Sequence, residues 1–363
     1  MPPSRFAVAR RAPWRAAGAL LLAAGVLAGC ASVPDAAPAD EPTTPGEAAM
    51  SGGAATSADP TTSEASPEVT PAAYPLILDN CGVEVRVEAP PQRIVAIKSS
   101  AIEMVLALGA GDRIVGTGYP DGPVPEQWAD GAADLPLLSD RVPSAEVVLE
   151  TEPDLVYAGW ESNLAADGAG ERAMLAEVGV ATYVSPSACK DPAHQPDPLT
   201  FETVFAEITE AGDLLGEPEA AAALVADQRE QLAAVVPDDR GLRALWWSSG
   251  TDTPYVGAGI GAPQMLMAAA GLVNVAGSVH DTWTSLSWEQ IAADDPDVIV
   301  LVDSEWNSAE KKMAYLAEHP VASNLTAVRA GSYVVVPFAG TEAGVRNVAT
   351  AAALAADVAA LGR

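Results

Sequence analysis

The residues with chemistry to offer sit in short polar segments that follow apolar, β-branched runs. Lys98-Ser99-Ser100 follows Ile94-Val-Ala-Ile, Trp160-Glu161-Ser162-Asn163 follows Leu155-Val-Tyr-Ala, and Ser248 to Thr253 follows Ala244-Leu-Trp-Trp. Ser185 to Lys190, Trp306-Asn307 and Phe338 to Arg346 have the same mixture of hydroxyls, amides, aromatic rings and a few cations. Indole faces stack on flat conjugated rings, while Lys, Arg and backbone N–H groups hold anions. The candidate binding set is Lys98, Ser99, Ser100, Trp160, Glu161, Asn163, Lys190, Ser249, Thr251, Tyr255, Trp283, Trp306, Phe338 and Arg346. Trp246 and Trp247 lie inside an apolar run, which predicts at least one core indole.

Catalytic spacing is missing. His194, His280 and His319 are far apart, with no pair at metal-ligand spacing, no Cys-x-x-Cys and no Gly-x-Ser-x-Gly. The 49 acidic residues select no carboxylate pair. The expectation is binding without catalysis, metal or cofactor, with an extracytoplasmic enzyme as the remote alternative. Gly257-Ala-Gly259-Ile-Gly261 precedes a Met-rich helical run, but its spacing departs from a dinucleotide fingerprint. It predicts a ligand-facing loop or a tight turn.

The start of the chain points outside the cytoplasm. Arg5, Arg10, Arg11 and Arg15 precede an apolar run from Ala16 to Ala28, which closes on Leu27-Ala28-Gly29-Cys30. That order is a secretory leader over 1–29, too short for a comfortable membrane span. Leu-Ala-Gly-Cys resembles the bacterial lipobox, which implies lipidation of Cys30. Residues 30–73 are mostly Ala, Pro, Thr, Ser, Asp and Glu, a composition expected of a disordered tether. The protein is therefore expected on the extracytoplasmic face of a bacterial membrane, held there by lipid alone.

Net charge is −30, with 19 basic and 49 acidic residues. Removing the four leader arginines leaves 15 basic residues and a charge of −34. So acidic a chain is a poor partner for nucleic acid or anionic lipid. Cys81 and Cys189 remain beside Cys30, and an oxidising compartment suggests a bridge between them, with two buried thiols as the alternative.

The elements that position the loops are duplicated. Ser144-Ala-Glu146-Val-Val-Leu-Glu-Thr-Glu-Pro153-Asp154-Leu-Val-Tyr recurs 143 positions later as Ser287-Trp-Glu289-Gln-Ile-Ala-Ala-Asp-Asp-Pro296-Asp297-Val-Ile-Val. Each has a capping Ser, an acid in the first helical turn, a helix stopped by Pro-Asp, and a buried strand. Upstream, Arg93-Ile-Val-Ala parallels Arg243-Ala-Leu-Trp, and Ala110-Gly111 parallels Ala270-Gly271. The order predicts an α/β chain of two lobes with parallel-sheet cores. Between them, helical spacing over Phe201 to Leu215 is interrupted at Gly216-Glu217-Pro218 and resumes from Glu219 to Val236. The predicted organisation is a lobe over 74–215, a single long rigid connecting helix over 216–238, and a lobe over 239–363, with the ligand cleft between lobes. An 18-residue helix spans about 27 Å, so ligand-induced closure is expected to be small.

The leader, the Pro91-Gln-Arg93-Ile-Val-Ala-Ile opening, the repeated Glu-x6-Pro-Asp block and the connecting helix resemble the iron-siderophore and cobalamin class of periplasmic binding proteins. The resemblance implies a monomeric solute-binding lipoprotein that serves an ABC permease and its ATPase. It also implies that Glu146 and Glu289, one per lobe, dock on the permease. Asp79-Asn-Cys-Gly82, Ala158-Gly-Trp-Glu-Ser-Asn163, Asp281-Thr-Trp-Thr-Ser285 and Thr341-Glu-Ala-Gly-Val-Arg-Asn347 are similar to a narrower subgroup. That subgroup is proposed to take a deazaflavin precursor of coenzyme F-420. A ferric siderophore, heme or cobalamin is the alternative ligand.

Overall fold

The computed structural model describes residues 73–362. The leader, Cys30 and nearly all of the expected tether lie outside the described residues. A hairpin of β1 (Leu76–Asn80) and β2 (Val83–Val87) comes first. The N-terminal half then runs β3 (Ile94–Ile97), α1 (Ser99–Ala107), β4 (Ile114–Gly118), α2 (Glu126–Ala132), β5 (Leu137–Ser139), α3 (Ala145–Glu150), β6 (Leu155–Ala158), α4 (Arg172–Glu177) and β7 (Ala181–Val184). Its sheet has the order β5-β4-β3-β6-β7 and is parallel throughout. Every residue of β3 and β6 is buried, which is why these strands read as continuous apolar runs instead of alternating.

Two helices, α5 (Phe201–Leu215) and α6 (Pro218–Ala233), lead to the second half. There the chain forms β8 (Arg243–Ser249), β9 (Tyr255–Gly257), α7 (Ala262–Ala269), β10 (Val273–Asn274), β11 (Trp283–Ser285), α8 (Trp288–Asp294), β12 (Val298–Asp303), α9 (Ala309–Glu318), α10 (Thr326–Ala330), β13 (Tyr333–Pro337) and α11 (Asn347–Ala360). Parallel pairing gives β10-β8-β12-β13, the counterpart of β4-β3-β6-β7. The second half adds β9 and β11, which continue antiparallel from the far end of β8.

The repeated block performs one task twice. Ser144 and Ser287 cap α3 and α8, accepting hydrogen bonds from Val147 N (3.4 Å) and Gln290 N (3.2 Å). The aspartate of each Pro-Asp then holds the start of the neighbouring central strand. Asp154 accepts from the N–H groups of Gln92 and Arg93 at 2.7 and 2.9 Å, and Asp297 accepts from Arg243 N at 2.8 Å. The start of each central strand thereby finds acceptors for its first donors.

Helix α6 falls within the expected connector 216–238 and packs side by side with α5. Gly216, in the left-handed region at φ 72°, ends α5, and Pro218 starts α6. Helix α5 buries Val204, Phe205, Ile208, Ala211, Leu214 and Leu215. Helix α6 contacts α5 and also α11 of the second half, and Gln228 on it donates to Val345 O at 2.9 Å. A single apolar cluster joins Ile102, Val105, Phe205 and Ile208 to Ala262, Met265, Val345 and Val348, so the halves share core as well as chain.

Candidate functional site

The carboxyl ends of the parallel strands face a cleft of about 530 Å³. The start of α1 and the loops after β6 and β7 supply Ser100, Trp160, Ser185, Ser187 and Lys190; the end of β8 and the loops after β12 and β13 supply Ser248, Ser249, Trp306, Phe338 and Glu342. A ligand crevice outside the carboxyl ends of strands is the general solution for open α/β sheets. The β9–β11 extension adds Tyr255 and Trp283, whose rings stack with centroids 5.6 Å apart and planes 15° apart. Trp306 stands at the rim with 63% of its surface exposed.

Ser100, Trp160, Lys190, Ser249, Tyr255, Trp283, Trp306 and Phe338 all lie on this wall. The other expected residues do not. Lys98 is fully buried: its ammonium pairs with Asp121, lies 3.8 Å from Glu342, and is enclosed by the rings of Trp160, Tyr119 and Phe338 at 3.8, 4.5 and 5.0 Å. A cation shielded from water gains from ring faces as well as carboxylates, which explains its withdrawal. Lys98 also takes φ 81°, a sparsely populated conformation for a side-chain-bearing residue, at the turn from β3 into α1. Gly159 packs behind it, where a Cβ would lie 2.4 Å from Ser100 Oγ and 2.7 Å from Lys98 Cβ.

Arg346 is withdrawn too. Its guanidinium makes two hydrogen bonds to Glu103 and a third to Pro123 O at 2.8 Å. Burial raises the Glu103 carboxyl above its ordinary range, with Arg346 opposing that shift. Ser99, Glu161 and Asn163 act as supports. Ser99 Oγ accepts from Asp121 N (2.8 Å), Glu161 accepts from Lys190 N (2.5 Å), and Asn163 Oδ1 accepts from Trp160 N (3.0 Å). Thr251 is on the outer side, where its carbonyl accepts from Trp288 Nε1 (2.6 Å) and Tyr315 Oη (2.8 Å).

The wall also includes residues that reasoning from residue type passes over. Gln195, Pro196 and Leu199 arrive on the segment beyond Cys189. Glu342 lies on the floor, accepting from Ser100 Oγ at 3.3 Å, with the Trp160 indole beside it. Burial raises its carboxyl to about 7, against the lowering effect of Lys98. Its only signal in the sequence is an acid within a loop otherwise chosen for its cation.

Cys81 and Cys189 form a disulfide with Cα atoms 5.3 Å apart, which ties the wall segment to the β1–β2 turn. Asn80 reinforces that tie by exchanging two 2.8 Å hydrogen bonds with the backbone of Val184. The glycines after β9 serve close packing: a Cβ on Gly259 would meet Gly277 O at 2.4 Å, while Gly261 and Ala262 reach the cleft wall. Glu146 and Glu289 are exposed in the first turns of α3 and α8. No cluster of His, Cys, Asp or Glu suited to a metal ion occurs among the described residues. No helix among them is long and apolar enough to cross a membrane.

A family model for periplasmic binding proteins matches residues 94–339. A cobalamin-binding protein of Halobacterium salinarum is 28% identical over 273 residues, 71% of this chain, which spans 66% of that relative's length. Among solved structures, a periplasmic binding protein from Veillonella parvula has a TM-score of 0.69 at 24% identity, covering 78% of this chain and 97% of that one. An ABC-type Fe3+-hydroxamate transport system from Saccharomonospora viridis has a TM-score of 0.66 at 26% identity, covering 78% and 99%.

Proposed function

Since the chain belongs to the periplasmic binding protein family, we propose that it captures a flat, conjugated solute outside the cytoplasm and passes it unaltered to an ABC permease and its ATPase. The observation that carries this reading is the composition of the cleft wall. Trp160, Trp306, Phe338 and the stacked Tyr255–Trp283 pair offer ring faces, and serine hydroxyls lie between them. Lys190 and Glu342 are the charged residues of the lining. Such a wall stacks and orients a ligand. Lipidation at Cys30, docking through Glu146 and Glu289, and a monomeric state belong to the same proposal. So do lobes over 74–215 and 239–363 joined through 216–238, with little change of angle on binding. The cluster shared by the two halves supports that stiffness.

Within this class, the deazaflavin precursor of coenzyme F-420 is the preferred ligand. A cleft of about 530 Å³ lies in the ~300–1,000 Å³ range typical of compact organic ligands. The Tyr255–Trp283 plate suits a tricyclic ring, and Lys190 with Ser185, Ser187 and Ser249 suits a phosphodiester. A second reading, a corrinoid or ferric chelate, is favoured by the relatives described as cobalamin-binding and as a hydroxamate transport system.

Titration of residues 73–363 with a deazaflavin precursor, cobalamin, hemin and a ferric hydroxamate, followed by tryptophan fluorescence, tests the proposal. The deazaflavin should quench most strongly at the lowest concentration and be recovered unchanged. Tighter binding of cobalamin or a ferric chelate would replace the ligand, and recovery of an altered ligand would remove the binding-only reading.

A further inference from the structure

Glu342 reaches the floor of the cleft from the second half of the chain, on the short turn after β13. Its neighbours there come from the first half: Ser100 Oγ at 3.3 Å, the Trp160 indole, and Lys98 Nζ at 3.8 Å. Lys98 is already held by Asp121, which lies closer to it than Glu342 does. Two carboxyl groups thus share one ammonium, and the adjacent Arg346–Glu103 pair is balanced on its own. The floor carries an uncompensated acid.

An anionic ligand group would be repelled there and drawn instead to Lys190, the exposed cation of the wall. A carboxylate has about four acceptor positions, so the neighbouring donors leave capacity for a further one. The side chain of Glu342 keeps 13% of its surface accessible, and the residue lines the cavity.

We propose that Glu342 selects the ligand by its hydrogen-bonding edge, taking an imide or lactam N–H of a conjugated ring at the floor while the anionic end of the same molecule faces Lys190. The inference rests on the reading of this cleft as the solute site and adds the ligand's orientation to it. Burial raises the Glu342 carboxyl to about 7, and both protonation states suit such an edge. The carboxylate accepts from the N–H; the acid can also donate to the adjacent carbonyl. A ring that presents only acceptors can take the proton of the acid form but leaves the carboxylate form unmet. An unmet buried acceptor is costly, so the carboxylate form makes the discrimination.

The test compares a 5-deazaflavin nucleoside carrying a free imide N–H with its N-methylimide derivative. The unaltered protein should prefer the free imide by about tenfold to a hundredfold, the range of a hydrogen bond to a charged group. Glu342→Leu should bring the two affinities within about twofold of each other. Glu342→Gln, which keeps an acceptor oxygen, should retain part of the preference and guards against a variant that fails to fold. Equal binding of both probes to the unaltered protein, or a preference that survives in Glu342→Leu, overturns the role of Glu342 and leaves the cleft reading standing. Binding of neither probe overturns the deazaflavin reading and this inference together.

Discussion

Arg346 closes on Glu103 from the opposite half of the chain, two of its nitrogens each hydrogen-bonded to a different oxygen of the carboxylate. Glu103 is 1% exposed, and its ring of neighbours includes the apolar cluster shared by the two halves. The pair therefore acts as a polar clamp beside a hydrophobic one.

Removing one member of such a pair is worse than removing both. Arg346→Met leaves a buried carboxylate with no cation, which should destabilise the protein by about 3–5 kcal/mol. Adding Glu103→Gln should restore much of that loss, because the stranded charge disappears. Urea unfolding of both single variants and the double variant measures the coupling. Additive effects would mean that the clamp contributes nothing as a pair.

Removal of the Cys81–Cys189 bond should loosen the cleft as well as the fold. The bond joins residues 108 apart in sequence, so its loss restores entropy to the unfolded chain; about 2–4 kcal/mol is typical. Cys189 and Lys190 both line the cleft. The Cys81→Ser/Cys189→Ser variant should accordingly bind ligand more weakly and melt at a lower temperature. Calorimetry with and without reductant checks the melting temperature, since only the unaltered protein should respond to reductant, and ligand titration of the variant checks the binding.

How much of this was readable in advance differs between backbone and site. The Pro-Asp repeat was legible because Asp154 and Asp297 recur together with the strand starts that they hold, at Arg93 and Arg243. Trp160, Trp306 and Phe338 were legible because loops after buried strands must face the crevice, whereas Tyr255 and Trp283 come from the β9–β11 extension. The roles of Lys98 and Arg346 were not. Each looks like a free cation in sequence, but Lys98 pairs with Asp121, 23 residues on, and Arg346 with Glu103, 243 residues away. Residue type reveals a charge but not the long-range contact that neutralises it. Helix α5 has a stronger apolar stripe than α6, yet spacing alone could not reveal that the two pack side by side.

Glu207 should make stability fall as pH rises through neutrality. Burial raises its carboxyl to about 7, opposed by the hydrogen bond from Ser187, and Glu342 is raised in the same direction. Between pH 4.5 and 7 the folded state therefore holds protons that the unfolded chain releases. This contribution is fully present below about pH 4.5 and is lost as pH rises through 7. Asp238 and Asp295 are lowered, so they titrate below this window, and Lys312, lowered to about 8, matters mainly above it. Glu207→Gln keeps an acceptor for Ser187 and should remove on the order of 2 kcal/mol of the stability change between pH 5 and 7.5. Urea midpoints at the two pH values measure it. An unchanged pH slope in the variant would rule Glu207 out as the source.

Docking makes a prediction separable from ligand capture. Glu146 and Glu289 occupy equivalent first-turn positions on α3 and α8, both exposed. Neither lies on the cleft wall. Each contributes only a few tenths of a kcal/mol to its helix, so reversing both charges should cost little stability. A pair of like charges related by the repeat would meet a permease through two matching basic pockets, where a reversed charge is repelled. Glu146→Arg with Glu289→Arg should therefore leave ligand affinity within about twofold while uptake falls at least tenfold, the effect of ~1.4 kcal/mol or more at the interface. Either single variant should have an intermediate effect, because one of the two contacts survives. Uptake by cells expressing each variant, alongside affinity measured on the purified protein, separates the steps. Full uptake by the double variant would show that these acids serve only as helix-start charges.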